Sequence, residues 1–212
     1  MPELDTPMHL TMLNDARRRG DIERDGLYGL TWGDPQTNPA LRAVRDRFVL
    51  PYVHPDRTAI EIGPGGGRWT RHLLGFGRLY AVDYHQALLD ELARSFRAPC
   101  LRLVKNCGTD FPGIDDGTVD YAFSFGCFVH LDLPVIEGYL RELHRVLRPN
   151  GGCAVIQYAD KTKEAGWKHG ASFTDTTPEI MLAMVTRAGH TVFEDDRETM
   201  WHSSIVRFGP AT

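Results

Sequence analysis

The segment Glu61-Ile62-Gly63-Pro64-Gly65-Gly66-Gly67-Arg68 sets three glycines at alternate positions, two residues behind a carboxylate. Glycine adopts backbone angles closed to other residues and lets a ligand approach main-chain N–H groups with no Cβ in the way. Twenty residues after Gly63 stands Asp83, where a carboxylate can accept hydrogen bonds from both hydroxyls of a ribose. The glycine order is not the G-x-G-x-x-G of dinucleotide sites, because its third position falls on Arg68. No Lys-Ser or Lys-Thr follows, which excludes a phosphate-gripping P-loop. The chemistry indicated is recognition of a nucleoside without a pyrophosphate grip, and S-adenosylmethionine fits that description.

Such a turn works only between a strand and a helix, and the surrounding residues supply both. TAIEI (58–62) is a short apolar run ending at the glycines, as in a buried parallel strand. A helix is expected from Arg68 to Leu74, stopped by Gly75 and Gly77. LYAV (79–82) reads as the second strand, followed by Leu88, Leu89, Leu92 and Phe96 at helical spacing. LRLV (101–104) and VDYAFSF (119–125) read as strands three and four. Ile136, Tyr139, Leu140, Leu143 and Leu147 mark an amphipathic helix ended by Pro149-Asn150-Gly151. CAVIQY (153–158) is the fifth strand. Thr177-Pro178 opens a helix whose buried stripe is expected to be Ile180, Met181, Met184, Val185 and Ala188, with Gly189 as its stop. HTVFE (190–194) and about Met200–Phe208 form a closing hairpin.

This alternation predicts a Rossmann-like, doubly wound α/β fold: a seven-stranded sheet, mostly parallel, with a C-terminal antiparallel hairpin. Residues 1–57 stand outside the alternation and read as a helical N-terminal cap containing Trp32-Gly33-Asp34-Pro35. A lead-in helix there carries Leu41, Val44, Phe48 and Tyr52, capped by Asn38 with Pro39 inside it. Residues 58–212 then form the main domain, folded together with the cap as one unit. The stretch 159–175 is longer than an ordinary connection, and it and the cap are both expected to border the active cleft.

The chain has 212 residues, 42% hydrophobic and 25% charged, enough for one sizeable core. Lys+Arg 24 against Asp+Glu 28 gives a net charge of −4, which lacks the broad basic footprint of general nucleic-acid or anionic-membrane binding. No run approaches the ~20 apolar residues of a membrane span, and MPELDTPMHL does not read as a secretory signal. Cys100, Cys107, Cys127 and Cys153 form no C-x-x-C pair, so free thiols in a reducing cytoplasm are expected.

EIGPGGG (61–67), AVD (81–83), NCGTDFP (106–112), VDYAFSFGCFVHL (119–131) and LRELHRVLRPNGG (140–152), in this order, resemble the class I S-adenosylmethionine-dependent methyltransferases. The resemblance implies that Gly63, Gly65 and Gly67 approach the methionine and ribose end of the cofactor, with Glu61 behind them. It implies that Asp83, with Tyr84 beside it, holds the ribose, that Cys107, Gly108 and Thr109 lie near the adenine, and that Ser124, Phe125 and Gly126 line the methionyl side. Many relatives carry Asp where this chain has Cys107. FSFGCFVHLD and WGDP further resemble bacterial enzymes that methylate sugars or glycoconjugates, among them actinobacterial polysaccharide O-methyltransferases of the methylmannose type.

The Asn/Asp-Pro-Pro-aromatic turn that serves nitrogen methylation of bases is replaced here by Ser124-Phe125-Gly126-Cys127, so the acceptor is not expected to be nucleic acid. The protein's task in methyl transfer is to position a nucleophile and take its proton. A hydroxyl needs a base, and histidine titrates near neutrality. His130 is therefore the expected general base, with Asp132 or Asp160 as orienting partners and His169 as second candidate. Trp32 and Trp167 could stack on a sugar; His144 reads as solvated, and His202 faces either cleft or surface. A divalent metal such as Mg would lower the hydroxyl's pKa; Asp132, Asp160, His130 and His169 show no diagnostic ligand spacing, so metal use and oligomeric state stay open. The reading is a cytoplasmic O-methyltransferase with a small-molecule or oligosaccharide acceptor. The alternatives are a phenolic or polyketide acceptor and a non-catalytic nucleoside-binding protein.

Overall fold

The computed structural model describes residues 6–22, 26–168 and 173–211. Strands β1 (Thr58–Ile62), β2 (Arg78–Asp83), β3 (Leu101–Lys105), β4 (Tyr121–Ser124), β5 (Cys153–Ala159), β6 (His190–Asp196) and β7 (Ser203–Pro210) form one sheet in the order β3-β2-β1-β4-β5-β7-β6. The first five are parallel, whereas β7 runs antiparallel to both β5 and β6. The expected fold is the observed one. Strand order turns back between β1 and β4, so the carboxyl ends of these two strands frame a crevice, the place where open α/β sheets hold ligands.

The period-two alternation of β1 sorts its side chains into two cores. Ile60 and Ile62 join Ala122, Ala154 and Ile156 beneath α5 (Leu133–Val146) and α7 (Pro178–Arg187), between which the chain forms the short α6 (Glu164–Lys168). Ala59 joins Tyr121, Phe123 and Val155 on the other face, with Leu41, Val44, Phe48, Trp69 and Leu73. Glu61 shares that second face by alternation, so a carboxyl group enters a layer that is otherwise aromatic and aliphatic.

Helix α2 (Pro39–Val44) begins as expected: the Asn38 side chain accepts the N–H groups of Ala40 and Leu41, and Pro39 sits in the first turn. It runs on as a wide turn at Arg45–Val49 and a tight one at Leu50–Tyr52, where Pro51 supplies no N–H. Ahead of it lies α1 (Thr6–Arg18). Leu13, Ala16 and Tyr28 pack on Leu88 of α4 (Gln86–Ser95), and Arg17 pairs with Glu91 at 2.5 Å.

Three elements differ most from their expected bounds, and one residue expected in a buried stripe turns outward. The helix after the glycines, α3, is only Thr70–Leu73, because residues up to Trp69 are taken by the turn. Strand β4 starts at Tyr121, Val119 making only an isolated bridge to Leu147, and it ends at Ser124. Strand β7 starts at Ser203, with Met200–His202 forming the turn before it. Ile180 is 37% exposed, since the inward stripe of α7 is Met181, Met184 and Val185 and Ile180 precedes it by one step around the helix. No helix among the described residues is long and apolar enough to cross a membrane.

Within the glycine turn the tightest approach is at Gly67, where φ is +98° and a Cβ would stand 2.2 Å from Phe96 Cε2 and 2.9 Å from Leu92 Cδ1. Gly65, at φ +56°, has no atom within 4 Å of such a Cβ. Gly67→Ala is expected to cost roughly 2–4 kcal/mol of stability, backbone strain adding to overpacking. Gly65→Ala should cost about 1 kcal/mol, the left-handed penalty alone. Urea unfolding of the two variants measures the difference.

Candidate functional site

The residues from Pro64 to Gly67 form a turn at the carboxyl end of β1, closed by Gly67 N–H on Pro64 O at 3.0 Å and tied to β2 by Gly63 N–H on Val82 O at 2.9 Å. Its glycines divide the work. A Cβ on Gly63 would meet Cys127 Cβ at 2.6 Å, and one on Gly66 would meet Tyr28 Cβ at 2.4 Å. With Gly67 against Leu92 and Phe96, three of the four are packed by the protein's own atoms, and Gly65 alone opens onto free space.

Two carboxyl groups stand behind this opening. Thr70 Oγ1 donates to Glu61 Oε2 at 2.6 Å, and burial pushes the Glu61 carboxyl up to about 8, so it holds its proton at neutral pH. Asp83 accepts the N–H of His85 at 2.8 Å together with those of Gly65 and Tyr84. Burial still raises it to about 6, leaving it ionised at pH 7. Asp83 thereby ties the end of β2 to the open glycine, and a carboxylate can accept further donors on its remaining lone pairs. Tyr84 lies under Lys105, whose Nζ is 4.4 Å from the ring centroid.

At the end of β3, Asp110 Oδ1 accepts the Cys107 N–H at 2.8 Å and the Cys107 thiol at 3.0 Å. That hydrogen bond raises the thiol's pKa, so the exposed sulfur stays protonated. Gly108, at φ +117°, turns the chain so that Thr109 lies against Gly138 of α5. At the end of β4, Ser124 Oγ donates to Ile62 O at 2.9 Å and is buried, bridging β4 to β1. Phe125 belongs to the aromatic layer, 4.7 Å from Trp69 between ring centroids. Gly126, at φ +80°, donates its N–H to Gln157 Oε1 at 2.7 Å, and Gln157 Nε2 donates in turn to Ser203 Oγ at 2.7 Å.

His130 is half-buried and closes the tight turn Phe128–His130 just past β4. Its ring meets Phe173 edge-on at 5.4 Å; Phe173 meets His202 at 5.5 Å, and His202 meets Trp201 at 4.8 Å. Ser203 pairs with Ala159, so the turn between β6 and β7 lies at the same sheet edge as His130. Thr174 anchors the returning chain there, its N–H on Val129 O at 2.8 Å and its Oγ1 on Leu131 O at 2.6 Å. His202 is half-buried against Phe173, and His144 is exposed as expected.

Asp160, expected as a partner of His130, is committed elsewhere. Its Oδ1 accepts Thr162 N–H at 3.0 Å and Thr162 Oγ1 at 2.6 Å, and its Oδ2 accepts Ser204 Oγ at 2.6 Å. Asp132 is exposed at the start of α5. His169 lies outside the described residues. Trp32, Trp167 and Trp201 are 51%, 68% and 64% exposed. No group of three or more His, Cys, Asp or Glu among the described residues is arranged to hold a metal ion.

Sequence reading missed Gln157, Thr70 and Tyr28. An amide inside the apolar run CAVIQY was the one visible signal, since a buried amide must find partners. Thr70 and Tyr28 become site residues only through contacts that tertiary structure creates.

Residues 59–151, from β1 to the turn after α5, match the family model described as a methyltransferase domain. No curated protein sequence matches the chain. Among solved structures, it is similar to a TehB-like SAM-dependent methyltransferase from Corynebacterium glutamicum, with a TM-score of 0.66 and 18% identity over 95% of this chain and 99% of the other. It is also similar to geranyl diphosphate C-methyltransferase from Streptomyces coelicolor, solved with Mg2+, geranyl diphosphate and S-adenosyl-L-homocysteine (TM-score 0.64, 14% identity, 81% of this chain and 80% of that one). A third is the glycopeptide N-methyltransferase MtfA, complexed with S-adenosylmethionine (TM-score 0.62, 15% identity, 81% and 86%). The fold is that of the class I S-adenosylmethionine-dependent methyltransferases, and residues 59–151 are the part of it that the methyltransferase-domain model matches.

The protonated Glu61 has a direct consequence for stability. Between the ordinary carboxyl pKa of about 4.3 in the unfolded chain and about 8 in the fold, the native state holds a proton that the unfolded state has released. Stability from this group is full below the lower value and is lost as pH rises to the upper one. Glu61→Gln removes that loss, so its melting temperature relative to the natural chain should climb from pH 5 to 8 and level off above. Thermal unfolding across this range checks it.

Proposed function

We propose that the chain transfers the methyl group of S-adenosylmethionine to a hydroxyl of a sugar or oligosaccharide, with His130 as general base. When bound, the cofactor supplies an electrophilic sulfonium methyl group. The residues present fit it: Gly65 offers main chain without a Cβ, and Asp83 offers an ionised carboxylate for the ribose hydroxyls. Gly63 and Gly67 shape the turn, Tyr84, Cys107, Gly108 and Thr109 border the adenine side, and Ser124, Phe125 and Gly126 border the methionyl side, with Glu61 behind.

The observation that carries the choice of oxygen is His130 itself, a half-buried imidazole at the carboxyl edge of β4. The fold alone serves carbon and nitrogen acceptors in the neighbours just described, so the acceptor must be argued from the side chains. A hydroxyl is a weak nucleophile until its proton leaves, and an imidazole accepts that proton near neutrality. Exposed rings at the same edge, Trp201 above all, support a saccharide as the molecule that presents the hydroxyl. His169 would be the second base. Asp160 would contribute by fixing the turn that leads into the loop, through Thr162 and Ser204.

Two measurements test this reading. His130→Ala should keep its affinity for S-adenosylhomocysteine while turnover with the best acceptor from a panel of sugars and phenols falls about 10²- to 10⁴-fold. Unchanged turnover removes the base, and a phenol as best acceptor removes the sugar. Calorimetry across pH tests Asp83: the ionised form binds, so affinity should fall as pH drops through about 6, and Asp83→Asn should abolish that dependence.

A further inference from the structure

The turn between β6 and β7 is locked from two sides. Asp196 Oδ1 accepts the N–H groups of Glu198 and Thr199, each at 2.9 Å, and its Oδ2 accepts Thr199 Oγ1 at 2.5 Å and Arg47 Nη1 at 2.8 Å. From the other side Lys163 Nζ donates to Arg197 O at 2.5 Å, Met200 O at 2.8 Å and Ser203 O at 2.7 Å. An ammonium has three donors, and each meets a carbonyl of this turn or its edge. The Met200 side chain is buried in the second core. Its neighbour Trp201 is 64% exposed, on main chain with little freedom left.

Lys163 also joins this turn to α6. Trp167 N–H donates to Lys163 O at 3.3 Å, and a Cβ on Gly166 would stand 3.3 Å from His202 O and 2.2 Å from Asp160 O. Trp167, 68% exposed, therefore follows a residue that abuts the turn carrying Trp201. The groups on the same two segments are polar: Glu164 and Lys168 pair at 2.7 Å, and Glu198 is exposed. Separate aromatic rings among polar groups suit a saccharide, whose apolar ring face lies on an aromatic ring while its hydroxyls find polar partners. A protein-docking face is a continuous apolar patch instead.

Ring contacts run in series from His130 to Phe173, His202 and Trp201, at 5.4, 5.5 and 4.8 Å between centroids. With Phe173 and His202 between them in this series, a sugar lying on Trp201 is not the one whose hydroxyl meets His130. We propose that Trp201, with Trp167, forms a distal saccharide subsite for a neighbouring unit of the acceptor, and that Lys163 is the positioning residue that holds it. The acceptor is then an oligosaccharide rather than a single sugar, a conclusion that rests on the saccharide reading above. Rings fixed before the acceptor arrives lower the cost of ordering the complex.

The test measures turnover with S-adenosylmethionine and gluco-, manno- and galacto-oligosaccharides of increasing length, from the single sugar upward. In the natural chain kcat/KM for the best series is expected to rise about 10- to 100-fold from the single sugar to the trisaccharide, the worth of one well-packed aromatic contact. Trp201→Ala should bring that ratio close to unity. Lys163→Met should lower the ratio too, by raising KM for the trisaccharide rather than by reducing kcat. Trp201→Ala removes an exposed side chain, so it decides the matter where Lys163→Met fails to fold. Equal kcat/KM at every length in the natural chain, or a ratio that survives Trp201→Ala because both acceptors lose equally, overturns the subsite. A folded Lys163→Met variant that keeps the ratio overturns the positioning role. If no sugar of any length accepts a methyl group, the saccharide reading itself falls, and the subsite with it.

Discussion

The molecule depends on how closely its own atoms crowd one turn of main chain. Between Gly63 and Gly67 the backbone is pressed by Cys127 from the segment after β4, by Tyr28 from the N-terminal segment, and by Leu92 and Phe96 from α4 and its end. Any side chain on three of these four glycines would drive those elements apart. The crowding fixes the turn from three directions and leaves a single unobstructed face at Gly65. A rigid backbone with one open face is what a ligand needs in order to find N–H groups already oriented.

Electrostatics follows from the same crowding. The turn closes over Glu61 and draws Asp83 into the sheet, and burial raises both carboxyls. They separate into a protonated acid that serves packing and an ionised one at the opening. The difference arises from hydrogen bonds: Asp83 accepts three backbone N–H groups, whereas Glu61 accepts a hydroxyl from Thr70. Around them the cleft is completed by chain segments distant in sequence. Gln157 on β5 holds Gly126, Ser203 on β7 holds Gln157, and Thr174 ties the returning loop to the turn carrying His130. The chain just past β4 therefore shares its framework with the C-terminal hairpin.

Much of this was legible in the residues because local pattern and global fold agree. Strand β1 ends at the glycines, Asp83 ends β2, and Thr177-Pro178 opens α7, each marked by its own short-range chemistry. What stayed hidden depends on contacts between remote segments. Helical spacing admits Ile180 to a stripe, but only packing against α5 shows which face turns inward. Asp160 looks like a free carboxylate near a histidine until Thr162 and Ser204 claim both its oxygens. Cys107 stands where many of the methyltransferases that the chain resembles carry Asp, and only the structure shows its N–H and thiol both meeting Asp110.

A crystal structure of the chain with S-adenosylhomocysteine tests the central claim most directly. Expected is a ribose whose hydroxyls donate to Asp83, main chain at Gly65 against the ligand, and Tyr28, Cys127 and Phe96 unmoved around the turn. Ligand density anywhere but the carboxyl edge of β1 and β2, or a Gly65 face closed by the protein's own residues, would contradict it.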